Sequence, residues 1–173
     1  MLPYLYTLLT YRCKLLKDKR TTLAKIRSIA DYQLGRGAGS ALFPDKINVT
    51  FSRRTGRIRH IYLESELLAT LRPTDGMFSL TIAGAKRLLK GVNPPRLWVK
   101  VSTDAAPFVA EGKSVFAKHV ISADKEIRPQ EEVTVLDEKD KVLAVGKAVL
   151  TGKEMTAFKR GIAVRVRRGA AEK

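Results

Sequence analysis

Residues 142–168 read VLAVGKAVLTGKEMTAFKRGIAVRVRR, and this stretch decides the fold of the second half of the chain. It opens with an apolar run that predicts two apolar strand faces: Leu143, Val145 and Val149 on one side, and Val142, Ala144, Ala148 and Leu150 on the other. Apolar residues on both sides are typical of a strand that is covered on both faces. We therefore expect a buried strand at the start of this stretch.

A short helix and a second strand are predicted to follow. Thr151 can cap the helix, because Glu154 stands three residues later as in a capping box, and Met155 and Phe158 are expected to point inward. The closing strand alternates, which predicts three buried and three outward side chains. The buried set is Ile162, Val164 and Val166, and the outward set is Ala163, Arg165 and Arg167. One strand then presents core on one side and mainly cations on the other.

Charge is the dominant feature of the composition. The 173 residues include 33 Lys and Arg against 17 Asp and Glu, a net charge of +16. This excess favours a polyanionic partner, nucleic acid before membrane, while a solvated surface of the kind found in heat-adapted proteins is the alternative. The one cysteine, Cys13, excludes an internal disulfide framework and a cysteine zinc site, and fits a reducing cytoplasm.

The first half of the chain predicts a small domain of helices and strands. Residues 1–11 are apolar but too short to cross a bilayer, and they read as a packed helix or strand, or as a disordered tail. Residues 12–20 are basic and fit either a solvated helix face or an RNA contact. An amphipathic helix is expected from Thr21 or Thr22 to Gly35. Strands are expected at residues 47–51, 57–63, 67–71 and 77–80, followed by a helix capped by Thr81 and ended by Gly91.

A domain boundary is predicted at residues 93–95, Asn-Pro-Pro, because paired prolines interrupt helix and sheet alike. It divides the chain into residues 1–93 and residues 94–173. The second part is predicted to begin with a strand at residues 96–102 and a short helix over residues 104–110 that Asp104 caps. The first part carries 17 basic and 6 acidic residues, and the second carries 16 and 11. We therefore expect the first domain to contribute to binding.

Four arginines cluster at the first predicted hairpin. Arg53, Arg54, Arg57 and Arg59 lie within seven residues, and Gly56 can take a positive φ in the turn. Guanidinium groups suit bidentate contacts with phosphates, so we interpret the hairpin as an RNA contact. A charged edge strand that resists aggregation is the alternative interpretation.

Two glycine-containing segments resemble nucleotide loops without meeting their requirements. Residues 35–40 lack the third glycine of a dinucleotide motif and follow a helix, and residues 107–114 begin with proline where a P-loop needs glycine. The two histidines and one cysteine are too few for the usual metal or triad arrangements. We therefore expect no enzyme activity, no cofactor and no metal site.

Several segments in order resemble the PUA domain, namely residues 112–120, 133–138 and 142–168. Residues 29–33, 52–59 and 75–81 are similar to the small domain that precedes PUA near the C-terminus of archaeosine tRNA-guanine transglycosylases. The resemblance implies an α+β protein with a small sheet-and-helix domain followed by a PUA pseudo-barrel. It also implies RNA contacts at Gly112, Lys113, Ser114 and His119, and along Arg160, Gly161, Arg165 and Arg167. His119 departs from the family, which usually has glycine there.

The function implied by this resemblance is binding of structured RNA without catalysis. The expected partner is tRNA, at its acceptor end, with the chain acting as an accessory or detached subunit that delivers tRNA to a cytoplasmic modifying enzyme. The transglycosylase barrel needs about 250 residues, for which this chain has no room. Alternatives are a ribosome- or translation-associated PUA protein and a small enzyme. One further acidic group is expected to face away from RNA or to contact a partner protein: Glu131, Glu132, Asp137, Glu138 and Asp140.

Overall fold

The first domain is a four-stranded antiparallel sheet with helices packed against it. The computed structural model describes residues 3–92 and 95–172, with side chains described for residues 19–92 and 95–172. The sheet has the order β1-β2-β3-β4. Its elements are α1 (Pro3–Leu34), α2 (Ala38–Leu42), β1 (Ile47–Phe51), β2 (Ile58–Leu63), β3 (Glu66–Leu71), β4 (Phe78–Leu80) and α3 (Ile82–Gly91).

Helix α1 begins earlier than the sequence indicates and ends where expected. It runs through Thr21 and Thr22, so the prediction that one of them caps the helix is wrong. It stops at Gly35, whose φ of 103° only glycine adopts readily and whose N–H reaches the Asp31 carbonyl at 3.1 Å. The predictions of a packed N-terminus, of the role of Cys13 and of the basic run up to residue 18 concern side chains outside the described residues. The predicted boundary at Asn93 and Pro94 also lies outside them.

The core of this domain lies between α1, α3 and the sheet. Ile26, Ala30 and Leu34 of α1 are buried at helical spacing. Phe43 and Phe78 pack with ring centroids 5.2 Å apart. Helix α3 begins as predicted, because the Thr81 hydroxyl accepts the Gly84 N–H at 3.1 Å. Local capping and periodicity therefore account for this half of the fold.

The second domain is a six-stranded, nearly closed barrel sheet with the order β6-β10-β9-β8-β5-β7. All pairs in it are antiparallel except β5 with β8. Its elements are β5 (Trp98–Val101), α4 (Ala106–Ala110), β6 (Val115–Phe116), a 3-10 turn (Ala117–His119), β7 (Val120–Ala123), β8 (Glu132–Leu136), β9 (Val142–Ala148), α5 (Gly152–Ala157) and β10 (Ile162–Gly169). The predicted α+β class, with a small domain followed by a pseudo-barrel, is confirmed.

Strand β9 is covered on both faces but ends at Ala148, so Val149, which was predicted to be covered, lies beyond the strand and is 37% exposed. Thr151 forms the predicted capping box with Glu154. Phe158 does not point inward as predicted. Phe158 is 47% exposed because α5 ends at Ala157, and the extended backbone that follows turns the ring away from the core. Met155 is fully buried, as predicted.

Two further predictions in this domain are wrong. Ala163 is fully buried, because the pairing of β10 with β6 shifts register between Ile162 and Val164, so the alternation breaks and two consecutive residues face the core. Asp104 does not cap α4. The helix starts at Ala106 after a turn, with Ala105 in the capping position and no side-chain cap.

A buried carboxylate joins the two domains. Glu132 on β8 has a fully buried side chain that accepts the Leu80 N–H at 2.9 Å. Arg167 on β10 donates to both Glu132 oxygens, at 2.9 and 2.5 Å, and to the Leu80 carbonyl at 2.6 Å. Arg72 adds an ion pair with Glu132 at 3.5 Å. Arg167 was expected to face RNA and Glu132 to face away from it; instead, the two side chains pair with each other at the interface.

Candidate nucleic-acid interface

The arginine hairpin presents four cations from a rigid turn. The Ser52 N–H bonds the Arg57 carbonyl at 2.8 Å, and the Gly56 N–H bonds the Ser52 carbonyl at 2.8 Å. Gly56 has the predicted positive φ, 63°, which closes this turn without strain. Backbone bonds thus determine the shape of the turn and leave the arginine side chains outside it.

The hairpin cations have no acidic partners among the side chains that the structure describes. Arg53, Arg54, Arg57 and Arg59 are all exposed, and no carboxylate among the described residues lies within ion-pair distance of them. Phe51, at the end of β1, is also exposed beside them in the chain. Unpaired guanidinium groups next to an aromatic ring can bind phosphates and stack on bases.

The second predicted surface follows the edge of the barrel where β6 pairs with β10. The Lys113 ammonium lies 5.1 Å from the centre of the Phe108 ring, and the Lys113 N–H bonds the Phe108 carbonyl at 3.1 Å. Ser114 is half-buried after this loop, which begins at Gly112 with a φ of 96°. The loop therefore holds an exposed cation against an exposed aromatic ring.

The other end of the same edge carries more of the predicted residues. Phe116 lies opposite Ile162, and the Ala117 N–H bonds the Gly161 carbonyl at 3.0 Å. This pairing places the exposed Arg160 beside the 3-10 turn, whose Lys118 is also exposed. Loop and strand residues that are far apart in sequence are thereby brought to one edge.

His119, Arg165 and Arg167 have different environments. The His119 Nδ1 atom is 3.4 Å from an Asp104 carboxylate oxygen, so this ring already has a neighbour within the protein. Arg165 is exposed on β10 opposite Lys147. Arg167 is held at the domain interface. Of the two β10 arginines predicted to contact RNA, Arg165 is therefore the more accessible to a nucleic acid.

Sequence reasoning missed the exposed aromatic rings of this edge, Phe116 and Phe158. An aromatic residue in an amphipathic pattern is ordinarily assigned to the core, so periodicity alone does not show its exposure. The only signal was their position beside Lys118 and Lys159 in the sequence.

Two further features concern metal binding and membrane insertion in the part of the chain that the structure describes. There, no three His, Cys, Asp or Glu side chains come together in a way that could hold a metal ion. No described helix combines the length and apolar character needed to cross a bilayer.

Comparison with family models decides the classification. Residues 24–95 match the patch-forming domain C2 of tRNA-guanine transglycosylase, and residues 97–170 match the PUA domain. The chain is a PUA-domain protein with a transglycosylase C2 domain. The predicted resemblance is thus confirmed, and the barrel edge described above belongs to an RNA-binding fold.

Relatives of this PUA-domain protein are archaeal tRNA-guanine(15) transglycosylases. The protein of Methanothermobacter thermautotrophicus is 46% identical over 147 residues, which are 85% of this chain and 22% of the relative. That of Methanosphaera stadtmanae is 40% identical over 170 residues, 96% of this chain and 25% of the relative. The chain therefore spans about a quarter of the length of the curated relatives it matches.

Solved structures share the fold over most of both chains. A hypothetical protein of Pyrococcus horikoshii OT3 aligns with a TM-score of 0.70 at 24% identity, covering 87% of this chain and 91% of its own. A conserved PUA-domain protein of Thermoplasma acidophilum aligns with a TM-score of 0.64 at 22% identity, covering 90% and 92%. At these identities the likeness shows the fold alone.

Proposed function

We propose that this protein binds structured RNA, in the first place tRNA at its acceptor end, as a non-catalytic accessory or detached subunit of a tRNA-modification system. The proposal is supported by the 40% identity that extends over 96% of this chain to a tRNA-guanine(15) transglycosylase. The matched segments are the C2 and PUA domains. The role follows those domains, which is why we assign binding and not the transfer reaction.

The observation that carries the RNA part of the proposal is the set of unpaired cations on both domains. The hairpin arginines and the barrel edge with Lys113 and Arg160 stand without carboxylate partners among the described residues. Phosphate neutralisation by such groups releases counterions and supplies much of the affinity for nucleic acid. In A-form RNA the major-groove base edges are inaccessible, so contacts with backbone and shape should dominate.

Hydrogen bonds at the domain interface hold the C2 and PUA domains together as one unit. Glu132, Leu80 and Arg167 hold β4 of the C2 domain against β8 and β10 of the PUA domain. A fixed orientation means that both cationic surfaces meet one RNA without the entropic cost of ordering two independent domains.

The test is to crosslink the full chain to RNA in cells, purify it, and sequence the RNA while identifying co-purified proteins. Enriched tRNA together with a transglycosylase-type subunit is the expected result. Ribosomal RNA with ribosomal proteins would instead establish a ribosome-associated role. A parallel purification of the Arg57→Ala, Arg59→Ala variant tests the role of the hairpin. If this variant retains as much tRNA as the unchanged protein, the RNA is held by net charge alone.

A further inference from the structure

A cleft of about 390 Å³ lies where the C2 and PUA domains meet. Its size falls within the range of about 300–1,000 Å³ that is usual for small-ligand sites. One wall comes from the end of α1 and the turn between β3 and β4, and the other from the segment that leads into β8. The lining residues are Tyr32, Gln33, Arg72, Asp75, Met77, Arg128, Gln130, Glu131 and Glu132.

Most charged groups of these walls are already paired within the protein. Arg72 forms an ion pair with Asp75 at 2.8 Å, and this hydrogen-bonded guanidinium lowers the pKa of the Asp75 carboxyl. Glu131 accepts the Arg128 N–H at 2.8 Å, and Glu132 is held at the domain interface. The hydrogen bonds of these carboxylates therefore hold the walls of the cleft in place.

Three side chains in the cleft, those of Tyr32, Arg128 and Gln130, have no such partner among the described residues. Tyr32 is 81% exposed although it stands on a helix that packs into the core. Neither its hydroxyl nor the Arg128 guanidinium nor the Gln130 amide forms a side-chain hydrogen bond or ion pair within the part of the chain that the structure describes. An aromatic ring, a cation and an amide are thus all available to one ligand.

The backbone of Gln130 adds an independent observation. Its φ is 72°, in the left-handed region that is costly for a residue other than glycine, and its N–H is held by the Ala148 carbonyl at 2.8 Å. Strained backbone of this kind is found preferentially at ligand-binding sites, where the surrounding structure maintains it. This backbone conformation holds Gln130 among the lining residues of the cleft.

We propose that this cleft takes one unpaired nucleotide of the bound RNA, with the base stacked on Tyr32, the base edge bonded to Gln130 and a phosphate on Arg128. Unpaired bases are commonly recognised by this combination of aromatic stacking, polar contacts to the base edge and guanidinium contacts. The proposal rests on the proposed function, since it assigns a place for one nucleotide of that RNA.

The first experiment compares Tyr32→Ala and Tyr32→Phe in the full chain, with a tRNA transcript as the probe and the Kd measured by fluorescence anisotropy. Loss of base stacking should raise the Kd about 5- to 150-fold in Tyr32→Ala, while Tyr32→Phe keeps the ring and binds as the unchanged protein does. Ile121→Ala removes an apolar side chain that is 52% exposed on β7 and serves as the control. Thermal unfolding should be the same in all four proteins, because these positions are exposed.

The second experiment separates stacking from charge. Arg128→Ala should make the slope of log affinity against log salt shallower by about 0.7–0.9, the effect of one phosphate contact, whereas Tyr32→Ala should lower affinity at an unchanged slope. If the unchanged protein binds tRNA and Tyr32→Ala matches it, the cleft proposal is overturned and the proposed function stands. If Tyr32→Phe binds as weakly as Tyr32→Ala, stacking is overturned. A full-length protein that binds no tRNA would overturn both proposals.

Discussion

Glu132→Gln is the most informative single substitution, because it removes one charge from the domain interface at almost constant volume. The carboxylate accepts two N–H groups of Arg167 and the N–H of Leu80. An amide at this place must turn its NH2 group toward one of these donors, so at least one charge-assisted hydrogen bond is lost. Such bonds contribute about 1.5–3 kcal/mol each.

We expect Glu132→Gln to lower the free energy of unfolding by about 2–3 kcal/mol. Removing one partner of a fully buried pair can cost about 3–5 kcal/mol, but Arg167 is 38% exposed and can regain water. In a chain of this length each kcal/mol corresponds to about 2–4 °C, so the unfolding midpoint should fall by about 4–12 °C. Circular dichroism and urea titration of the full chain measure both quantities.

Asp140→Asn is the matched control. It removes a carboxylate of the same charge from the exposed pair with Lys100, where the Asp140 side chain is 67% exposed. Asparagine also tolerates the positive φ of 63° at this position. An exposed pair contributes about 0–1 kcal/mol, so this midpoint should change by no more than about 4 °C.

If Glu132→Gln is no more destabilising than Asp140→Asn, the buried carboxylate does not stabilise the domain interface. That result would mean that the cost of burying the carboxylate cancels its hydrogen bonds. A double-mutant cycle with Arg167→Ala gives a second check, since coupled residues deviate from additivity by about 0.5–3 kcal/mol. Additive effects would show that the pair is not a functioning contact in solution.

The remaining predictions concern surfaces and caps. Arg57→Ala with Arg59→Ala should weaken tRNA binding, measured by anisotropy, and should change the free energy of unfolding, measured by calorimetry, by no more than about 0.5 kcal/mol. Unchanged affinity together with a less stable fold would favour the edge-strand interpretation. Val164→Asp should unfold the PUA domain because it buries an unpaired carboxylate, and a native circular dichroism spectrum would contradict this. Thr151→Ala should cost about 1 kcal/mol in urea titration by removing a helix cap. The hydrogen bonds from Thr151 lower the pKa of Glu154, so their contribution is present above the ordinary glutamate pKa and is lost as pH falls through the lowered value; an identical acid titration of stability in Thr151→Ala would refute this assignment.

Much of the fold could be predicted because its signals are local. The continuous apolar run placed β9 in the core, the capping residues Thr81 and Thr151 marked the starts of α3 and α5, and Gly35 marked the end of α1. Each signal depends on backbone geometry within a few residues, and the residue types at those positions favour that geometry. The errors occurred where a register shift or an early helix end replaced the regular period, as at Ala163 and Phe158.

The candidate surfaces divide in the same way. The arginine hairpin could be found from sequence because its residues are neighbours and its turn has a recognisable glycine. The exposure of Tyr32 could not be found from the sequence, because the helical period of α1 does not show that a cleft lies between this helix and the second domain. The cleft combines segments near residues 32, 75 and 130, which the chain brings together only after both domains have formed.

Residue patterns along the chain are enough to establish the net charge, the order of strands and helices, and the resemblance to the C2 and PUA domains. Tertiary structure alone decided that Arg167 turns from the solvent side to Glu132, 35 positions away, and that both meet Leu80 of the other domain. Strand alternation assigns charged residues to the outside, because an isolated buried charge is costly. Glu132 escapes this rule since the donors that offset its desolvation come from two other strands, and no local pattern records that meeting.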